Sequence, residues 1–325
     1  MNVTYQGKAF PAALARLCRE RIFVHLFRSW MVVVLTVSVI GCTVSADEEQ
    51  PIASDIYETV AKVPVDEGMH SRDIVATTYM PAGPGPFPLI VLSHGSPPDP
   101  RDRWKVGRYR KLAQIRTFIR LGFAVVVPIR RGYGATGGAY EEDAGSCQHP
   151  DYTTAGKHAA HDVLAAVKYA QTLPQVDRKH VVLVGQSAGG FASLAAASYA
   201  PEGLVAVVNF SGGRGGNPSK HPGMPCGAQQ MTDTIAHFAA TIRVPVLWHY
   251  VQNDQFFAPE VVAEWYAAFR AAGGQGQLII EPPFRANGHG MFAVASAIPI
   301  WLPHFEQFVM PLASKNRPTS IDRHD

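Results

Sequence analysis

Six apolar runs of strand length recur along the chain: LIVLSHG (89–95), FAVVVPIR (123–130), HVVLVG (180–185), LVAVVNFSGG (204–213), VPVLWHYV (244–251) and GQLIIEP (276–282). They lack the polar alternation of a strand with one wet face, so both of their faces must be covered. Stretches with helical spacing of apolar residues separate or follow them, at 108–122, 155–173, 188–200, 228–241, 259–272 and 291–311. Strand and helix in alternation require crossover connections. The expected fold class is therefore α/β, a mostly parallel central sheet with helices on both faces. An additional first strand is expected around 73–80, after a polar lead-in over 47–72 and before the proline-rich turn PAGPGPFP (81–88). With no long linker, repeat or low-complexity tract, residues 73–311 read as one domain and 312–325 as a polar tail.

The front of the chain reads as an address. Arg19, Arg21 and Arg28 precede the apolar run WMVVVLTVSVIG (30–41), which is short for a membrane span and suits the core of a signal sequence. VIGC (39–42) resembles the lipobox of bacterial lipoproteins and makes Cys42 the candidate lipidation site. VSA (44–46) offers a competing cleavage site, and an uncleaved anchor is the remaining alternative. Residues 1–46 are thus assigned to the signal segment and the start of the mature chain. The expected location is exported, either periplasmic or membrane-associated through a lipid anchor. The formal charge of +3 is concentrated there, because the chain after Cys42 holds 24 basic and 25 acidic residues. Such a balance asks for no nucleic-acid partner. Cys18 and Cys42 fall in the signal segment. Cys147 and Cys226 remain in turn-rich stretches as a candidate disulfide, with two separate thiols as the alternative.

GQSAG (185–189) lies where the run VVLV meets the helical stretch that follows it. A turn that passes directly from strand to helix forces its apex residue into an unusual backbone conformation. It also leaves no room two positions to either side, hence Gly185 and Gly189. Ser187 would stand proud at a helix N-terminus, as a nucleophile; the alternative is a plain helix N-cap. A serine hydroxyl needs a base, expected late in the chain, and an acid between the two. His289, on the glycine-flanked loop RANGHGMF, is the leading base, with His221 as second choice. His237, His249, His304 and His324 lie in helix, strand, helix and tail. Asp254, in VQNDQFF directly after a strand, is preferred as acid to Asp233 and Glu281. The oxyanion would meet the backbone N–H of Ala188 and that of Ser96, or Gly95, in the SHGS turn, with His94 bracing the turn or merely occupying it.

With HGS (94–96), RRGYGATGG (130–138), GQSAGG (185–190), NDQFF (253–257) and GHGMF (288–292) in this order, the chain resembles a serine hydrolase of the α/β-hydrolase superfamily. The most similar branches are the dienelactone-hydrolase-like and oligopeptidase-like ones. The resemblance covers roughly residues 70–311 and implies the α/β-hydrolase fold and a Ser-His-Asp triad. Dienelactone hydrolases proper carry cysteine where this chain has Ser187, so the lactone substrate does not transfer. The few residues before the first strand leave no place for the propeller domain of oligopeptidases. The expected activity is cleavage of small-molecule esters, with peptidase or amidase action and a non-catalytic scaffold as alternatives.

Trp104, Tyr133, Phe256, Phe257, Met291 and Phe292 flank these loops as candidate pocket walls, with plain core packing as the alternative for some of them. The basic run from Arg101 to Lys111 (Arg101, Arg103, Lys105, Arg108, Arg110, Lys111) reads as a solvated helix start or, alternatively, as a pocket mouth for an acidic substrate. His158, His161 and Asp162 cluster on one helix turn with no third ligand evident, so a surface helix is favoured over a metal site. No phosphate-binding loop is present, and neither a cofactor nor a metal is implied.

Overall fold

The computed structural model describes residues 56–67 and 70–313. The signal segment with Cys18 and Cys42, the start of the lead-in and almost all of the polar tail lie outside the described residues. The strands are β1 (Tyr57–Glu67), β2 (His70–Met80), β3 (Phe87–Ser93), β4 (Ala124–Ile129), β5 (Val176–Gln186), β6 (Leu204–Phe210), β7 (Val246–Val251) and β8 (Gly276–Glu281). They form one sheet in the order β1-β2-β4-β3-β5-β6-β7-β8. β3 to β8 run parallel to one another, whereas β2 pairs antiparallel with both β1 and β4.

The helices are α1 (Leu112–Arg120), α2 (Tyr152–Ala170), α3 (Ala188–Ala197), α4 (Ala228–Ala239), α5 (Pro259–Ala271) and α6 (Ile298–Ala313). Strand residues alternate between two cores. Leu89, Val91, Val181 and Leu183 face the layer of α2 to α5, while Ile90, Leu92, Val182 and Val184 face α1 and α6. Both faces of each central strand are thereby buried, which is why the sequence shows unbroken apolar runs.

The structure departs from expectation at the two ends of the domain. The lead-in contains β1, because an edge strand buries only one side: Val63 and Val65 are buried while Lys62, Pro64 and Asp66 are exposed. Pro64 is tolerated there because an edge strand leaves one row of N–H groups unpaired. The last helix starts later than 291, since Gly288–Ala293 and Ala295–Ala297 form short 3-10 turns before α6. The basic run around Arg101 is a 3-10 turn, Pro100–Val106, capped by Asp99. Asp162 is not a surface residue: it is buried and accepts from the backbone N and Nε of Arg131, each at 2.7 Å.

Cys147 and Cys226 form a disulfide with a Cα–Cα distance of 5.0 Å. It links the loop after β4 to the loop after β6, across a sequence separation of 79. Closing a loop of that length removes unfolded-state entropy worth about 4 kcal/mol. The Cys147→Ser/Cys226→Ser double variant is therefore expected to unfold at lower urea concentration by up to that free energy. Reductant should bring the wild-type midpoint down to that of the variant.

Candidate active site

The carboxyl ends of the parallel strands carry the chemically distinctive residues, as expected of an open α/β sheet. Ser187 follows β5 with φ 55° and ψ −124°, a conformation disfavoured for any residue with a Cβ. Its backbone is held on two sides. Its N–H donates to Phe210 O at 2.9 Å, and its carbonyl accepts from Phe191 N at 3.1 Å and Gly213 N at 3.2 Å. A side chain at Gly185 would collide with the Gly189 carbonyl, and one at Gly189 with the carbonyls of Ser93 and His94. The Ser187 side chain makes no N-cap bond to α3, so the plain N-cap alternative is not realised. Its hydroxyl instead lies 2.9 Å from His289 Nε2.

His289 Nδ1 is 2.9 and 3.0 Å from the two carboxylate oxygens of Asp254. A carboxylate can only accept here, so Nδ1 carries the proton and Nε2 presents its lone pair to the serine hydroxyl. Asp254 is buried, and its Oδ1 also accepts the N–H groups of Phe256 (2.8 Å) and Phe257 (3.1 Å). The loops bearing acid and imidazole are stitched together by two amide side chains. Asn287 Oδ1 accepts from His289 N (3.0 Å) and Gln255 N (3.2 Å), and Asn253 Oδ1 from Phe284 N (2.9 Å). Phe256 stacks on the imidazole at 4.0 Å between centroids, and Phe257 meets it edge-on at 5.4 Å.

The alternatives lie elsewhere. His221 is exposed on a turn, its backbone N–H bonded to Asn217 O. His249 and His304 both approach Glu281 Oε1 at 3.1 Å, Asp233 is bonded to Gln229 on α4, and His237 lies near the end of that helix. His324 is outside the described residues.

The SHGS turn borders the serine: a Cβ on Gly95 would lie 3.3 Å from Ser187 Cβ and 3.9 Å from its Oγ. Ser96, next in the turn, is half-buried, and Ala188 opens α3, whose first N–H groups have no intrahelical acceptor. His94 is fully buried. It accepts Arg130 N–H at Nε2 (3.1 Å), which leaves Nδ1–H to donate to Gly95 O (2.7 Å). Burial, reinforced by the Arg130 charge, pushes its pKa down to about 3.

Of the expected pocket walls, only Trp104 (69% exposed) and half-buried Phe256 keep open surface. Tyr133, Phe257, Met291 and Phe292 are buried and act in packing. Tyr133 sits edge-on to His94 at 4.7 Å, because its loop folds inward rather than over the site. Tyr109 was not foreseen. At φ 48° it sends its hydroxyl to Gln186 Oε1 at 2.9 Å, and Gln186 Nε2 in turn donates to His289 O at 3.4 Å. Among the basic residues, Arg108 and Arg110 pair with Glu58 on β1, and Arg103 stacks on Tyr140.

The dienelactone hydrolase family model matches residues 107–300, more than half of the chain. Similar solved structures include a dienelactone hydrolase-like promiscuous phosphotriesterase from metagenomic libraries, 20% identical, covering 77% of this chain and 98% of that one at TM-score 0.52. An acetyl xylan esterase from Paenibacillus sp. R4 is 15% identical over 82% of this chain and 90% of its own, at TM-score 0.55. A puromycin-hydrolyzing peptidase from Mycobacterium tuberculosis is 19% identical over 79% of this chain but only 39% of its own, at TM-score 0.57. At these identities the likeness is one of fold. No curated protein matches the sequence.

The depressed pKa of His94 has a consequence for stability. Below the ordinary histidine pKa of about 6.5, the unfolded chain takes up a proton that the folded site refuses. Stability from this site is complete above that pH and falls by about 1.4 kcal/mol per unit as pH drops toward 3. Between pH 7 and pH 5, His94→Gln should therefore lose about 2 kcal/mol less stability than wild type, as measured by urea unfolding.

Proposed function

We propose, from the premise that the chain belongs to the dienelactone hydrolase family, that it is a serine hydrolase cleaving small-molecule carboxylic esters through an acyl-enzyme. The single observation that carries this reading is the imidazole of His289, bonded to Asp254 through one nitrogen and to the Ser187 hydroxyl through the other. In this mechanism Ser187 Oγ attacks the ester carbonyl as Nε2 takes its proton. Asp254 holds the tautomer and stabilises the resulting imidazolium without itself being protonated. The oxyanion is met by the N–H of Ala188 and by that of Ser96 or Gly95, donors worth about 10²–10³ each in rate. The imidazolium returns its proton to the leaving alkoxide. A water activated by the same nitrogen then hydrolyses the acyl-enzyme.

The half-buried Phe256 and exposed Trp104 supply apolar surface for the acyl or alcohol group. An ester rather than a peptide is the preferred substrate class; the peptidase among the structural neighbours motivates the amide as a comparison. The residues need no cofactor for this chemistry. The proposal extends to location: a disulfide persists in oxidising compartments, which supports export directed by residues 1–46. Lipidation at Cys42 should appear as a diacylglyceryl mass on the mature N-terminal peptide, whereas an unmodified N-terminus at Asp47 would assign the VSA site instead.

A fluorophosphonate should label the wild type and leave Ser187→Ala unlabelled. Ser187→Ala should lose about 10⁶-fold, and Asp254→Asn about 10⁴-fold, in kcat on an aryl ester. A wild type that neither reacts nor turns over any member of a panel of esters and matched amides defeats the enzymatic reading.

A further inference from the structure

A second cluster of charge lies behind the SHGS turn and takes no part in the steps above. Arg130, directly after β4, has no exposed surface. Its Nε donates to Glu142 Oε1 at 2.5 Å, and its Nη1 to Ser93 Oγ at 2.8 Å and His94 O at 2.7 Å. Glu142, also buried, accepts on its other oxygen from Arg214 Nη1 at 2.6 Å, and from the Tyr133 hydroxyl at 3.4 Å. Arg214 Nη2 donates to Glu142 O at 2.6 Å and is bonded to the Tyr140 hydroxyl. Burial alone would raise the carboxyl pKa of Glu142, but Arg130 and Arg214 hold it down to about 2.

The consequence follows from peptide planarity. In a trans peptide the carbonyl and the following N–H point in opposite directions within one plane. Arg130 Nη1 fixes the carbonyl of His94 and with it the direction of Gly95 N–H. The backbone N–H of Arg130 sets the His94 tautomer, His94 Nδ1–H fixes the carbonyl of Gly95, and that fixes Ser96 N–H. Both candidate oxyanion donors of the turn are thus aimed by one arginine, through its guanidinium and through its amide. Glu142 is what holds that guanidinium in place, and one carboxylate between two guanidiniums leaves a net positive charge beneath the turn. A buried ion network is a poor source of stability compared with apolar packing of the same volume.

We propose that Glu142 is a positioning residue for ester hydrolysis, holding through the Arg130 guanidinium the His94–Gly95 peptide of the turn that receives the oxyanion. This rests on the serine-hydrolase reading above. Fluorophosphonate labelling of wild type tests that reading first and independently of any change at residue 142.

The test compares Glu142→Gln, the charge-balanced Glu142→Gln/Arg214→Gln and the charge-conserving Glu142→Asp with wild type. The readouts are kcat and KM on an aryl ester, affinity for a trifluoromethyl ketone of matched acyl group, and melting temperature. The ketone binds as a tetrahedral adduct and so reports on the oxyanion donors. Glu142→Gln should lose ten- to a hundredfold in kcat, with KM within about twofold, because small misplacements of catalytic donors are costly. Trifluoromethyl ketone affinity should fall by the same factor, and Glu142→Asp should lie between. If Glu142→Gln fails to fold, the double variant, with its cation surplus reduced, should fold and show the same paired loss; should that also fail, Glu142→Asp decides by the same pairing. Folded variants with kcat and ketone affinity within threefold of wild type overturn the proposal. So does a loss in kcat that leaves ketone affinity untouched, or one matched only by a fall in melting temperature.

Discussion

The backbone of Ser187 is the constraint on which the remainder of the site depends. A residue with a Cβ is held at positive φ, in a conformation that costs on the order of 1–3 kcal/mol. It stays there because its amide is bonded to β6, its carbonyl to α3 and Gly213, and its neighbours Gly185 and Gly189 leave no space for relaxation. The sheet beneath supplies the rigidity. Its central strands are packed on both faces, so any shift would have to repack two close-packed cores at once.

From that fixed point the imidazole and the carboxylate are brought in by loops. The acid leaves β7 and the histidine lies just after β8, so the distance between them depends on side-chain bonds across the two loops. Asn253 and Asn287 make these bonds, and Phe256 stacks on the imidazole. The scheme divides labour: backbone bonds to strand and helix position the nucleophile, whereas side-chain bonds between loops position its base.

How far this was legible beforehand follows from the range of each interaction. The parallel sheet, the turn at Ser187, and the choice of Asp254 and His289 are written locally, as apolar runs and glycine-flanked loop residues in chain order. β1 escaped notice because an edge strand with Pro64 buries only alternate residues and reads as polar. Tyr133 looked like a pocket wall because it lies in a glycine-rich loop, yet that loop turns inward onto His94. Arg130 was invisible for a different reason. A charged residue at the end of a strand usually meets solvent, and the burial of this one is compensated by Glu142, which only the tertiary fold brings to it. The same holds for Asp162, whose guanidinium partner lies on another element.

The bridge between Cys147 and Cys226 closes a covalent ring of chain that contains α2, β5, Ser187, α3 and β6 but excludes Asp254 and His289. The exposed turn around His221 lies within this ring. Proteolytic nicking there severs the backbone without releasing a fragment. Both pieces stay on one molecule until a reductant cuts the remaining tie.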